Sequence, residues 1–356
     1  MIVRFPISLI LISLLTACSG PTYYLQAISG QWKLMHSRQD IQTLLNSPAT
    51  SPELAAHLQA AGQIKNFAES ELDLPGNDSY TSYAEVEGTA LVWNVVATPE
   101  FSLQPKKWCF PVAGCVPYRG FFDEHKARDS AAQLSGKGMD VYVSPAAAYS
   151  SLGWFEDPLL STMFSGSDTR LAAYLFHELA HQRLYLKGDG AFNEAYASFV
   201  EQTGVKIWLE SQQRQDDLLK WEQLQDASRD FAELIGGAQD KLGKLYLSDQ
   251  SETTKRNMKA EILHSLADSH EQLSKGKWGG KRYYDAWLKN PLNNAKLALY
   301  NTYQGGVCAF QGLLDKANGK LGEFHRLAEQ VSRLPKDQLG EWLKQTCSGI
   351  APQGNV

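Results

Sequence analysis

Leu171–Glu201 reads LAAYLFHELAHQRLYLKGDGAFNEAYASFVE, and the rest of the chain is read outward from it. His177-Glu178-Leu179-Ala180-His181 is followed, after twelve intervening residues (182 to 193), by Glu194. The first half predicts a helix: Ser167 and Asp168 suit an N-cap, and apolar residues recur at Leu171, Tyr174, Leu175, Leu179 and Leu184. Positions i and i+4 lie one above the other on a helix face, so His177 and His181 can offer two imidazoles to one ion. Zinc binds imidazole nitrogen at about 2.0–2.1 Å, favours a tetrahedron, and in catalytic sites takes three protein ligands and a water. A third ligand is therefore required.

Gly188-Asp189-Gly190 stops the first helix and turns the chain. A second helix is expected from Ala191, with Phe192, Ala195, Tyr196, Phe199 and Val200 available to pack. A short link makes the two helices antiparallel neighbours, and Glu194 can then face the histidines. Glu178 cannot coordinate together with both histidines in ordinary geometry. Its expected role is general base toward a metal-bound water.

HELAHQ (177–182) followed by NEAYA (193–197) resembles the glutamate-type zincins, the thermolysin-like enzymes and zinc aminopeptidases included. The resemblance implies His177, His181 and Glu194 as zinc ligands and Glu178 as the base. More narrowly, YYLQAISGQ (23–31), CVPYRG (115–120), DVYVSPAAAYSSLGWFEDPLLSTM (140–163) and NNAKLALYNTY (293–303) resemble the bacterial family of predicted zinc aminopeptidases. The thermolysin-like interval of nineteen residues (182 to 200) would select Glu201 instead. Glu194 is preferred for the Asn before it and the small residue after it; Glu201 is the alternative. Ser198 stands where the thermolysin-like enzymes carry an aspartate supporting a ligand histidine. That carboxylate must come from elsewhere, with Asp189 and Glu201 the candidates. The resemblance also implies a tyrosine that donates to the developing oxyanion, and Tyr303 is the residue expected there.

The N-terminus reads as a targeting segment. Arg4 is its positive region, Phe5–Leu15 an apolar run too short to span a bilayer, and Leu15-Thr16-Ala17-Cys18 closes it. That tetrapeptide resembles the bacterial lipoprotein box, which implies lipidation of Cys18 and removal of residues 1–17. Ser19 after it resembles lipoproteins sent to the outer membrane, so the expected location is the cell envelope, facing the periplasm. In an oxidising compartment Cys109, Cys115, Cys308 and Cys347 can pair in three ways. Cys109–Cys115, closing a tight loop, with Cys308–Cys347 is favoured. The formal charge of −5 offers no global basis for nucleic-acid binding.

Elsewhere, helices are expected over Tyr23–Asn46 and from Ser51 to about Leu72, and strands over Thr89–Thr98 and Asp140–Ser144. A helix is expected over Glu124–Leu134, long half-exposed helices over Ile207–Ile235 and Thr253–Leu273, and one further helix over Pro291–Phe310. Val141–Tyr149 is the candidate for an edge strand that pairs with a substrate backbone. Tyr149, Ser150 and Trp154 are candidates for the cleft wall, and Arg119 for a substrate contact, although a structural Arg119 is the readier reading.

The fold class implied is α+β and zincin-like, mostly helical, with a small mixed or antiparallel sheet beside two zinc-binding helices. The organisation expected is a signal segment (1–17), an N-terminal helical segment (18–75), a catalytic region (76–205) and a C-terminal helical region (206–356). The function implied is zinc-dependent hydrolysis of peptides by a lipid-anchored envelope protein, with the aminopeptidase mode coming from the resemblance. Two rivals stand beside it: an inactive zinc-site lipoprotein that serves as an envelope binding or assembly module, and a helical scaffold whose histidine pair is incidental.

Overall fold

Side-chain caps mark five helix starts among the described residues, at Asp40, Ser51, Asp123, Asp189 and Ser251. The computed structural model describes residues 21–345 apart from 111–113, 147–149, 152–154, 290 and 305. Helix α1 (Pro21–Ser37) ends well before Asn46, a correction to the single helix expected there. Residues 39–40 are extended (β1, Gln39–Asp40), and Asp40 accepts from the Thr43 amide at 2.7 Å to start a separate α2 (Ile41–Leu45). An N-capping aspartate inside an apolar run restarts a helix rather than continuing one. Ser51 caps α3 (Pro52–Glu71) as expected, its hydroxyl accepting from Leu54 at 3.2 Å.

Among the described residues the strands form three small sheets. β2 (Ser82–Ala84) pairs antiparallel with β1 and parallel with β8 (Leu159–Leu160). β3 (Val92–Pro99) is the centre of an antiparallel sheet, flanked by β6 (Arg119–Phe121) and β7 (Met139–Ala146). β4 (Trp108–Phe110) and β5 (Gly114–Val116) form a hairpin crosslinked by the expected Cys109–Cys115 disulfide. Cys308 is disulfide-bonded too, and Cys347 lies outside the described residues. Helix α4 (Glu124–Ser135) covers one face of the sheet, with Ala127 packed on Val95 and Phe121.

Helices α5 (Asp168–Arg183) and α6 (Gly190–Ser211) are the central antiparallel pair. The next helix, α7 (Gln215–Leu247), does not continue α6, another departure from expectation. Trp208 and Leu209 belong to the core around α5 and α6, whereas Phe231 and Ile235 belong to a second core, and Gln213 turns the chain between them with φ +55°. That second core joins α7 to α8 (Glu252–Lys275), to the single turn α9 (Asp285–Leu288) and to α10 (Asn294–Gln304). The helix expected over Pro291–Phe310 is two, α10 and α11 (Val307–Lys316), separated at Gly306 with φ +83°. A Cβ there would lie 2.8 Å from Leu343 and 3.1 Å from Ala195, so glycine permits both the turn and the close approach.

Helices α12 (Leu321–Val331) and α13 (Lys336–Leu343) return the chain to the first core. Phe310 and Phe324 stack around Tyr196 and Phe199 of α6, with ring centroids 5.1–6.1 Å apart. One core therefore unites α3, α5, α6, α11 and α12.

Gly204 marks how closely these helices pack. An added Cβ would meet Leu72 Cδ1 at 2.7 Å and Phe176 Cδ2 at 2.9 Å, and both residues are fully buried. Gly204→Ala should cost about 1–3 kcal/mol through overpacking, despite alanine's better helix propensity. Thermal unfolding checks this, and an unchanged midpoint would refute it.

Candidate metal centre

The site begins with α5. Leu171, Leu175, Phe176 and Leu179 are buried, which fixes the helix's rotation and leaves His177 and His181 on an adjacent face. The two imidazole centroids are 4.8 Å apart and the rings nearly perpendicular, at 85°.

The link to α6 is held by Asn193. Its side-chain carbonyl accepts from the Leu186 amide at 2.7 Å, and its NH2 donates to the Leu186 carbonyl at 2.9 Å. Asp189 is the N-cap of α6, accepting from Phe192 at 3.1 Å. A short link clamped at one end and capped at the other sets the start of α6, and with it the direction of Glu194. Glu194 Oε2 lies 3.3 Å from His177 Nε2 and 3.7 Å from His181 Nε2. That oxygen is buried with the two imidazoles as its polar neighbours, an arrangement that suits a cation among the three atoms. His177, His181 and Glu194 each offer a donor atom within 4.8 Å of the others, so together they could hold a metal ion.

Glu201 lies two turns further along α6 and serves the opposite nitrogen of the same ring. His177 Nδ1 is 3.0 Å from Glu201 Oε2. Donation from Nδ1 to the carboxylate fixes the tautomer and leaves the Nε2 lone pair directed at the common point. Of the two candidates for a supporting carboxylate, Glu201 occupies the position and Asp189 is engaged as a cap.

Glu178 lies beside this point on the wall of a cleft of about 830 Å³. Burial pushes its carboxyl above the ordinary glutamate range, and His177 and His181 pull in the other direction. Burial also opposes ionisation of Glu194, but the two histidines outweigh it and bring its carboxyl down to about 2. The two acids thus differ in environment: Glu194 is held as a carboxylate, and Glu178 takes a proton more readily.

The cleft runs from His177 and Glu178 to Ser144, Pro145 and Ala146 of β7 on one side and to Trp221 and Leu224 of α7 on the other. β7 is an edge strand, since its sheet runs β6-β3-β7. The Asn293 side chain donates to the Val141 carbonyl at 2.9 Å, so that carbonyl points away from β3. Alternation then turns the backbone groups of Val143 and Pro145 the same way, away from β3. A proline is tolerated there because its missing N–H removes no ladder bond.

The other sequence candidates are distributed as follows. Arg119 is stacked on Tyr23, 3.9 Å from the ring, and is not on the cleft wall, which favours its structural reading. Ser150 donates to Asp157 at 3.2 Å. Tyr149 and Trp154 lie outside the described residues, and so does the side chain of Tyr303, whose backbone belongs to α10. Two tyrosines near the site escaped sequence reasoning. The Tyr118 hydroxyl is pushed well up by burial and then by the charges of Glu194, Tyr185 and Glu178. The Tyr185 ring lies 6.4 Å from that of His181. The sequence signal for the first is CVPYRG itself, in which Tyr118 precedes Arg119. For the second it is the position of Tyr185, four residues after His181.

The model of a family described as "Putative aminopeptidase" matches residues 22–343. No curated protein and no solved structure gives a significant match.

Proposed function

Because this chain belongs to that aminopeptidase family, we propose that it is a zinc-dependent aminopeptidase whose centre is His177, His181 and Glu194. The observation that carries this reading is the convergence of both Nε2 atoms on Glu194 Oε2, with Glu201 behind His177. Two imidazoles and one carboxylate are the donor set of a catalytic zinc site with a position left for water. Zinc bound there would lower the pKa of its water to about 7 and polarise a carbonyl.

The chain's own residues would do the rest. Glu178 accepts a proton from the attacking water and returns it to the leaving nitrogen. Glu201 keeps His177 in one tautomer. The open edge of β7 takes the substrate backbone, with the Val143 N–H and the Val143 and Pro145 carbonyls available to an added strand. Tyr303 is our proposed donor to the developing oxyanion. We place the protein in the cell envelope, attached through a lipid on Cys18 and facing the periplasm. Among the described residues no helix is long and apolar enough to cross a membrane.

A peptide-library digest read by mass spectrometry, with and without a chelator, tests the reading. Single residues should be lost from N-termini, the loss should stop with chelator, and it should return with zinc. Internal cuts would overturn the aminopeptidase mode. Cleavage indifferent to chelator would overturn the metal mechanism.

A further inference from the structure

Helix α1 has two opposed faces. Toward the body, the Tyr23 ring meets that of Phe121 at 5.5 Å, and the Gln26 side-chain oxygen Oε1 accepts from the Phe122 amide at 3.1 Å. Gly30 lies against the Phe122 ring, where any Cβ would clash, and Leu34 is buried. Positions 23, 26, 30 and 34 follow helical spacing, so α1 is pinned along one side. On the opposite side Leu25, Ile28 and Trp32 are 67%, 66% and 60% exposed. Steps of three and four residues set them in one line, about half a turn from the pinned face. Single exposed apolar side chains need no explanation, but an aligned leucine, isoleucine and tryptophan on an otherwise well-packed helix mark a surface that is covered.

What covers it is indicated by the chain just before it. Cys18 precedes Pro21 by three residues, which extend to at most about 11 Å. If Cys18 carries its lipid, α1 begins at the bilayer surface. The helix contains no acidic residue and carries an exposed Lys33, which suits an anionic headgroup layer. Tryptophan concentrates at that boundary, and surface helices seat their apolar side chains about 5–10 Å into it.

We propose that α1 lies flat on the bilayer that holds the Cys18 lipid, with Leu25, Ile28 and Trp32 seated among the upper acyl chains. The proposal rests on the lipoprotein reading. The lipid supplies attachment; the stripe supplies orientation, because a body hung on a lipid alone can turn about its tether.

The test uses the full chain processed in a bacterial host and placed in phosphatidylethanolamine–phosphatidylglycerol vesicles, with plain or brominated acyl chains. Subtracting the emission of Trp32→Phe from that of the unmodified protein isolates Trp32 from the other tryptophans. Brominated lipid should lower the Trp32 emission by about twofold or more, and acrylamide in the water should reach it poorly. Trp32 quenched by acrylamide and untouched by brominated lipid would overturn the proposal. So would Trp32 shielded from both, which would mean a second copy or another protein on that face. Intact mass separates the premise: an unmodified Cys18 would overturn the anchor and the proposal with it, whereas a lipidated Cys18 with an unquenched Trp32 overturns the seating of α1 alone.

Discussion

Glu178→Gln is expected to lower kcat/KM for peptide hydrolysis by about 10²–10⁴ while zinc content stays unchanged. The substitution keeps the size of the side chain and its place on the cleft wall and removes its capacity to hold a proton. Glu178 is outside the group that converges on Glu194 Oε2, so the metal site should not register the change. Initial rates on short peptides and elemental analysis of the purified variant check the two halves separately. Activity within a few-fold of the unmodified protein would put the base elsewhere. A cellular role that survives the substitution, with hydrolysis gone, would favour the rival reading of an envelope binding module.

Glu194→Ala and Glu201→Ala should part company in metal affinity. Glu194 carries the oxygen nearest both Nε2 atoms, and its loss leaves two donors where three are needed. Glu194→Ala should therefore emerge from dialysis without zinc, and added zinc should not raise its unfolding temperature. In the unmodified protein, zinc at a hundredfold over its Kd should stabilise the fold by about 2.7 kcal/mol. Glu201→Ala should keep a full complement of zinc but bind it about 10–100-fold more weakly, because Glu201 acts through the His177 ring. Competition with a chromophoric chelator ranks the two. The reverse order would make Glu201 the ligand and sink the assignment made from the distances.

Local chemistry was legible in the sequence, and long-range geometry was less so. The two helices of the centre, the Ser51 cap and the Cys109–Cys115 crosslink follow from neighbours in the chain; α5, however, ends at Arg183 with Leu184 extended, before the Gly188-Asp189-Gly190 expected to stop it. The α+β class and the meeting of His177, His181 and Glu194 followed from them. What the sequence left open was the use of Glu201. Helical periodicity places Glu194 and Glu201 on one face of α6, and only the rotation of that helix against α5 sends one to Nε2 and the other to Nδ1 of the same ring. In the sequence Asn193 is half of a motif, while its hold on both backbone groups of Leu186 belongs to the three-dimensional link. The breaks at Gln213 and Gly306 were missed because periodicity continues across them. Each break lies where the chain passes between buried clusters or must let Ala195 and Leu343 approach.

The packing of Phe310 and Phe324 on Tyr196 and Phe199 sets the timetable for making this protein. The helix bearing Glu194 is synthesised before the aromatic rings that hold it in place. A nascent chain lacking its last fifth contains every donor atom of the group but not the two rings that pack behind α6. The packing around the proposed metal site is complete only once the end of the chain has come back against the middle.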